Sequence, residues 1–238
     1  MINLFQGDCL TIIPTLTQKF RLVLADLPYG ISNCRWDTPI DLVKFWEVVK
    51  PILTEDGSVV MFGSQPFTTT LINSNKKMFK YCWIWKKQRG MGHLTAKKKP
   101  MPSQEDIVVF QKKLWYNPQM RTGHQPYSYP AGDTEATRQG VYGIPSTPSK
   151  SDGLRYPINV IEFCAIGPRY GFRKHPTQKP VDLLEYLIKT YSNEGDWVLD
   201  PTMGSGSCGV ACQNTNRNFV GIELDPTYFQ VAKERLGV

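Results

Sequence analysis

The chain has 238 residues, with 28 lysines and arginines against 21 aspartates and glutamates, and a formal net charge of +7. That length holds one compact domain, or one domain carrying an insertion, with room for a real core. Hydrophobic residues at 41% and charged residues at 21% exclude a disordered chain, a collagen-like fibre or a coiled coil, and no apolar run nears the ~20 residues that span a bilayer.

In chain order, Ile2 to Gln6 reads as a strand, and Gly7 and Asp8 turn the chain into a short helix around Leu10 to Leu16. Arg21 to Ala25 is a near-continuous apolar run, the pattern of a parallel strand buried on both faces, and it stops at Asp26-Leu27-Pro28-Tyr29-Gly30. A helix over Leu42 to Val49 is ended by Pro51, and a strand over Ser58 to Phe62 follows Gly57. Pro66 sits in the first turn of another short helix. Phe79 to Trp85 and Asp106 to Gln111 read as strands flanking a Lys/Gly-rich loop.

From Leu114 to His175 Pro, Gly, Ser, Thr, Tyr and Arg accumulate and helical periodicity vanishes, the texture of an irregular insertion in which Asn159 to Phe163 is a candidate strand. Regularity returns with Pro180 at a first helical position, followed by Val181, Leu184, Leu187, Ile188 and Tyr191 at helical spacing. Asn193 to Asp196 is a turn, Trp197 to Asp200 a strand, and Pro201 to Gly206 a tight loop that opens a helix. Asn218 to Leu224 is a further strand, and Asp225-Pro226 starts the last helix. Strands alternating with helices predict an open, mostly parallel α/β sheet.

Two segments carry chemistry. Gly204-Ser205-Gly206-Ser207-Cys208-Gly209 matches G-x-G-x-x-G between a strand and a helix, and Glu223 ends the next strand, where an acid can accept bonds from ribose hydroxyls. The plain alternative is a strand-to-helix turn with no ligand, and the pattern is shared by nicotinamide, flavin and adenosylmethionine proteins. Asp200, directly before the loop, suits a ligand with an ammonium group rather than a pyrophosphate. Only 29 residues follow Gly209, too few for the rest of a dinucleotide domain in the usual order, so adenosylmethionine fits better than NAD.

Asp26-Leu27-Pro28-Tyr29 lies at the carboxyl end of a buried strand, where open α/β sheets form their ligand crevice. The plain alternative is a proline turn with Tyr29 in the core. The chemical reading is specific. An exocyclic amine on a base is a poor nucleophile because its lone pair is delocalised into the ring. The Asp26 carboxylate and a neighbouring backbone carbonyl can accept its two N–H bonds, localising the lone pair for attack, while Tyr29 stacks on the base.

These segments, in this order, resemble the amino-group (N6-adenine/N4-cytosine) DNA methyltransferases of bacteria and phages, in the permuted (beta) class whose catalytic motif precedes the cofactor motif. The resemblance covers nearly all of the chain except the insertion. Gly7-Asp8-Cys9-Leu10 is similar to the family's first segment, whose acid meets the cofactor adenine. Asp26-Leu27-Pro28-Tyr29 is similar to its Asp-Pro-Pro-Tyr catalytic motif. His175-Pro176-Thr177-Gln178-Lys179-Pro180 resembles the segment holding the methionine carboxylate. Asp200-Pro201-Thr202-Met203-Gly204-Ser205-Gly206 resembles the methionine-side loop, and Gly221-Ile222-Glu223-Leu224-Asp225 the ribose-binding strand end. Leu27 departs from the family's proline but retains the main-chain carbonyl that this position supplies.

The resemblance implies a seven-stranded Rossmann-like sheet with S-adenosylmethionine as cofactor, a catalytic half over residues 1–113, a target-recognition insertion over 114–174 and a cofactor half over 175–238. It implies direct in-line methyl transfer to a flipped base, with the acid-first motif favouring adenine N6 over cytosine N4. Double-stranded DNA is the implied partner, and a homodimer and a cognate restriction endonuclease stay open. An RNA substrate, a nicotinamide oxidoreductase and a DNA-binding module without turnover are the other readings.

Lys86, Lys87, Arg89, Lys97, Lys98 and Lys99 are six basic residues in a loop without an acid, suited to tracking phosphates. Solvation is the plainer use of such a run. The insertion adds Arg121, Arg138, Arg155, Arg169, Arg173 and Lys174 among Tyr127, Tyr129 and Tyr156, suited to base edges and stacking. Phe79, Tyr81, Trp83 and Trp85 are expected on one strand face as packing. The six cysteines form no Cys-x-x-Cys pair, so no disulfide framework or metal site is expected. With no basic, apolar leader at Met1, the expected setting is the reducing cytoplasm of a bacterial or phage-infected cell.

Overall fold

The computed structural model describes residues 1–30, 38–129, 149–165 and 178–238. They fall into two compact units, Met1–Asn117 with Asn159–Val238, and Pro118–Ile158. In the larger unit run β1 (Ile2–Gln6), α1 (Cys9–Ile12), β2 (Phe20–Ala25), α2 (Leu42–Val49), β3 (Leu53–Gly63), α3 (Phe67–Ser74), β4 (Phe79–Lys86) and β5 (Gln104–Gln111). The smaller unit holds β6 (Tyr127–Tyr129) and β7 (Ser149–Ser151). The larger unit resumes with β8 (Val160–Glu162), α4 (Val181–Tyr191), β9 (Trp197–Asp200), α5 (Ser207–Asn214), β10 (Asn218–Glu223) and α6 (Pro226–Leu236).

The main sheet has the order β1-β10-β9-β2-β3-β5-β4-β8. Among its strands β5 alone runs against the rest. The crossover through α3 leaves a gap beside β3, and β5 returns from β4 into that gap by a direct loop, which only an antiparallel strand permits. The α/β sheet expected from the sequence is thus present, Rossmann-like and mostly parallel. It carries eight strands rather than seven, because Val160–Glu162 pairs in parallel with Ile84–Lys86 at the sheet edge. β3 starts at Leu53 rather than Ser58, because Leu53 already pairs with Phe20 ahead of a register shift.

All six β2 residues are buried, as their apolar run requires. One face of the sheet packs with α1, α2 and α3 through Cys9, Phe45, Trp46, Val49 and Leu71. The other packs with α4, α5 and α6 through Leu184, Leu187, Ala211, Ala232 and Leu236. Tyr81, Trp83 and Trp85 face the second cluster, where Trp83 Nε1 donates to the Tyr191 hydroxyl at 2.6 Å. Phe79 packs on the opposite face, contrary to the expectation, because a bulge between Phe79 and Tyr81 flips the alternation.

Pro180 caps α4 from outside, with Val181 as the first helical residue, one position later than expected. Gly206 precedes α5 as its N-cap, with a φ of +77° in the left-handed region that favours glycine. Gly209 lets α5 lie against its neighbours, since a Cβ there would sit 2.7 Å from Leu236 and 2.9 Å from Phe219. In the smaller unit Tyr127↔Ser151 and Tyr129↔Ser149 form an antiparallel pair, and the Arg155 guanidinium lies 4.5 Å over the Tyr127 ring.

Candidate active site at the carboxyl edge of the sheet

Because β1, β10, β9, β2 and β3 run in parallel, the residues that leave their carboxyl ends emerge on one edge. These are Gly7 and Asp8, Glu223, Asp200, Asp26 and Gly63. The reversed β5 brings its beginning to the same edge, with Asp106 opposite Gly63, and β4 delivers Lys86 and Lys87 beside Gln104. Sequence-distant acids and bases therefore meet along one line.

On the β1–β10–β9 side, the Asp8 carboxylate caps α1, accepting from Leu10 N–H at 2.8 Å. Burial, then Asp8, pushes the Cys9 thiol up to about 12, so it is a packed, protonated group. Gly7 N–H donates to the Glu223 carbonyl at 2.9 Å, tying the two strand ends together. The Glu223 carboxylate accepts from Gly204 N–H and Asp225 N–H, each at 2.8 Å. Burial raises its pKa, and those amides pull it back. Gly204 and Gly206 are both left-handed, at φ +52° and +77°. Met203 and Ser205 are buried, and Leu224 is exposed.

Asp200 is 8% exposed and accepts from Thr202 N–H at 3.0 Å. Burial pushes its carboxyl up to about 8, against the Thr202 amide and with the charges of Asp26 and Glu223 adding to the rise. The Thr202 hydroxyl donates to the Asp26 carbonyl at 3.1 Å, which joins the glycine loop to the Asp26–Tyr29 segment.

On the β2 side, Leu27 is buried at 2% exposure and packs in the α1–α3 cluster, so hydrophobic burial holds the turn at the position where the family has its first proline. Pro28 and Tyr29 are half-buried. The Tyr29 ring stacks on Phe67, centroids 4.8 Å apart and planes at 27°. Its hydroxyl donates to Glu105 Oε1 at 3.0 Å and lies 3.3 Å from Asp26 Oδ1.

Lys179 Nζ lies 2.6 Å from Asp26 Oδ2 and 3.1 Å from Glu105 Oε1. Lys87 Nζ lies 2.7 Å from Glu105 Oε2. Two carboxylates, two ammoniums and a phenol thus form one inward-facing network. Burial raises the Asp26 pKa, opposed chiefly by Lys179. Burial would also raise that of Glu105, but Lys179 and Lys87 outweigh it and hold Glu105 low. Burial would deprotonate Lys179, but Asp26 and Glu105 outweigh it and keep the ammonium charged. Burial and the two carboxylates keep the Tyr29 phenol protonated.

Lys179, expected at the cofactor through its motif, pairs with the Asp26 carboxylate, and Lys87, read as a phosphate contact, pairs with Glu105. Gln178 is half-buried beside Lys179. Glu105 and Phe67 were missed. Beginning β5 at Asp106 left Glu105 outside the strand; its true start, Gln104, sets Glu105 in alternation with Ile107 and Val109, and a carboxylate among core positions is a signal of function.

Lys86 is surface-paired with Glu162 at 2.7 Å, whereas Arg89, Lys97, Lys98 and Lys99 are exposed in a loop whose middle forms the short 3-10 turn His93–Thr95. In the smaller unit Arg121 exchanges backbone bonds with Arg155 and donates from Nε to the Tyr156 carbonyl at 3.3 Å. Thr177, Arg138, Arg169, Arg173, Lys174 and His175 lie outside the described residues. Cys208 and Cys212 are core residues, with their mutual contact and then burial raising the Cys208 thiol. No helix among the described residues is long and apolar enough to cross a membrane.

A carboxylate at a strand end beside an aromatic ring, in a residue whose carbonyl is tied to a glycine loop with its own buried acid, can orient an amine next to a bound small molecule. Known proteins resemble this chain over nearly its whole length. A family model described as DNA methylase, of the N6/N4 methyltransferases, matches residues 20–234. The type II methyltransferase M1.MboII of Moraxella bovis is 28% identical, over 97% of this chain and 94% of that protein. The DNA adenine methyltransferase YhdJ of Escherichia coli is 26% identical over 99% of this chain and 83% of that protein. The crystal structure of the M1.HpyAVI–SAM complex superposes with a TM-score of 0.69 and 25% identity, covering 100% of both chains. The cytosine-N4-specific PvuII enzyme shares the fold, with a TM-score of 0.68 and 17% identity over 98% of this chain and 86% of that one. With the family match running through both halves of the site, the chain belongs to the N6/N4 DNA methyltransferases.

Proposed function

We propose that this chain methylates the N6 amino group of adenine in duplex DNA, working on a base flipped out of the helix. The observation that carries the reading is the Asp26 carboxylate just beyond β2, flanked by Tyr29, in a residue whose main-chain carbonyl Thr202 ties to the glycine loop. Adenine rather than cytosine is favoured by the acid that opens the catalytic motif and by the likeness to the adenine enzyme YhdJ. Flipping costs a few kcal/mol of stacking and pairing.

The donor set at the glycine loop fits the cofactor. A buried carboxyl raised to about 8, as at Asp200, calls for a cationic partner in its ionised form, and the methionine ammonium is one. Bound there, S-adenosylmethionine supplies an electrophilic methyl on a sulfonium. Glu223 accepts from the ribose hydroxyls and Asp8 meets the adenine edge, with Cys9 and exposed Leu224 lining that end. Thr202, Met203, Gly204, Ser205 and Gly206 form the methionine-side wall, and Gln178, with Thr177 next to it in sequence, meets the methionine carboxylate.

Asp26 and the Leu27 carbonyl accept the two N–H bonds of the target amine and so localise its lone pair. Pro28 shapes the turn. Tyr29, one face on Phe67, offers the other to the base. Asp26 need not keep the proton, because the methylated amine loses it readily to water. Arg89, Lys97, Lys98 and Lys99 track phosphates, and the insertion over 114–174, with Arg121 and Arg138, reads the target.

The test is transfer of label from S-adenosylmethionine to unmodified duplex DNA, followed by digestion to nucleosides, with Asp26→Ala beside it. Label in N6-methyladenine that disappears in the variant is the expected result. Label in N4-methylcytosine overturns the base assignment, and an active Asp26→Ala overturns the catalytic one.

A further inference from the structure

Glu105 is a buried charge for which the transfer reaction itself has no use. It is 6% exposed, yet both its oxygens are engaged, Oε1 by the Tyr29 hydroxyl at 3.0 Å and Lys179 at 3.1 Å, and Oε2 by Lys87 at 2.7 Å. The groups around Asp26 are therefore shared between two acceptors. Lys179 stands between the carboxylates, 2.6 Å from Asp26 and 3.1 Å from Glu105, and the Tyr29 hydroxyl lies 3.3 Å from one and 3.0 Å from the other.

An amine arriving at Asp26 competes with Lys179, 2.6 Å from Oδ2, for the lone pairs of that carboxylate. Lys179 holds its Oδ2, while the Tyr29 hydroxyl, whose one proton goes to Glu105, lies 3.3 Å from its Oδ1. If Lys179 simply let go, a side chain only 11% exposed would carry an unpaired charge, which is costly inside a protein. Glu105 removes that obstacle, because Lys179 already touches it. The network of Asp26, Glu105, Lys87 and Lys179 has no net charge, and a neutral amine entering it leaves that balance unchanged.

We propose that Glu105 is a positioning residue for methyl transfer: it takes over Lys179 and keeps hold of the Tyr29 hydroxyl as the target amine occupies Asp26, while Lys87 neutralises it. No bond to Glu105 forms or breaks. The proposal rests on Asp26 being the carboxylate that receives the amine.

The test compares Glu105→Gln, Glu105→Asp, the double variant Lys87→Gln/Glu105→Gln and Asp26→Asn. The readouts are single-turnover transfer to duplex DNA, calorimetric binding of S-adenosylmethionine and the pH–rate profile. Glu105→Gln is expected to slow transfer roughly 10- to 100-fold, the scale for removing a group that supports a reacting one, with cofactor affinity essentially unchanged. Its acid limb moves to lower pH, because Asp26 loses a neighbouring negative charge and is left facing Lys179, Tyr29 and Asp200. Glu105→Asp recovers part of the rate. The double variant stays slow although its charge is balanced.

Wild-type transfer by Glu105→Gln overturns the proposal, and so does full recovery in the double variant, which would reduce Glu105 to a counter-charge for Lys87. If Glu105→Gln does not fold, Glu105→Asp decides alone. Slowed transfer with normal cofactor binding supports the handover, and a wild-type rate ends it. An Asp26→Asn protein active at the wild-type rate removes the catalytic reading itself, whereas an inactive Asp26→Asn beside an unimpaired Glu105 variant removes only the present inference.

Discussion

Asp200→Asn separates what the glycine loop does for binding from what it costs the fold. Burial lifts the Asp200 carboxyl from an ordinary 3.8 to about 8. Between those values the folded protein holds a proton that the unfolded chain releases, so stability falls as pH rises from about 4 to about 8 and is level above that. At about 1.4 kcal/mol per unit, the penalty at pH 7 is on the order of 4 kcal/mol. Asparagine keeps an oxygen for the Thr202 N–H bond and carries no charge. Relief of even about 1 kcal/mol raises the melting temperature by roughly 2–4 °C in a chain of this size. The variant is therefore expected to melt above the wild type at about pH 8 without ligand, with the gap closing towards about pH 5. S-Adenosylmethionine, which stabilises the wild type by binding only the folded form, should protect the variant far less, since the ammonium has lost its partner. Thermal melts with and without the cofactor across that pH range make the measurement. A variant less stable than the wild type at pH 8 would refute the raised carboxyl, and equal protection by the cofactor would refute the ammonium contact.

Three further outcomes follow from named interactions. Tyr29→Phe keeps the ring on Phe67 and should retain base flipping, read from the fluorescence of 2-aminopurine at the target position, whereas Tyr29→Ala should weaken it by about 1–3 kcal/mol; equal losses would remove the stacking role. Replacing exposed Lys97, Lys98 and Lys99 by glutamine should flatten the salt dependence of DNA affinity by about 0.9 in log–log slope for each phosphate no longer neutralised, and an unchanged slope would return that loop to solvent. Gly209→Ala drives a methyl against Leu236 and Phe219 and should cost about 1–3 kcal/mol in urea unfolding; a neutral result would show that α5 is free to shift.

The sequence by itself determined the frame of this protein and the identity of the acids at its edge. Apolar runs, turn residues and glycines are local signals, so β2, β9 and β10 were legible, and with them Asp26, Asp200 and Glu223 at or just beyond their carboxyl ends. The helix over Leu42–Val49 and the turn at Asp225-Pro226 were legible for the same reason, since Asp41 and Asp225 accept from the first backbone amides of their helices. What the tertiary structure decided is which charges meet. Lys179 and Asp26 are 153 residues apart, and Glu105 and Tyr29 76 apart. Their meeting depends on β5 entering the sheet backwards with Asp106 opposite Gly63, a register that no local pattern encodes. The bulge that turns Phe79 away from Trp83 was hidden for the same reason, and so was the pairing with Ile84–Lys86 that makes the candidate strand at Val160–Glu162 an eighth member of the sheet. Both are set by a partner strand, and a lysine or glutamate at a strand end reads as a solvated charge until the neighbour that buries it is known.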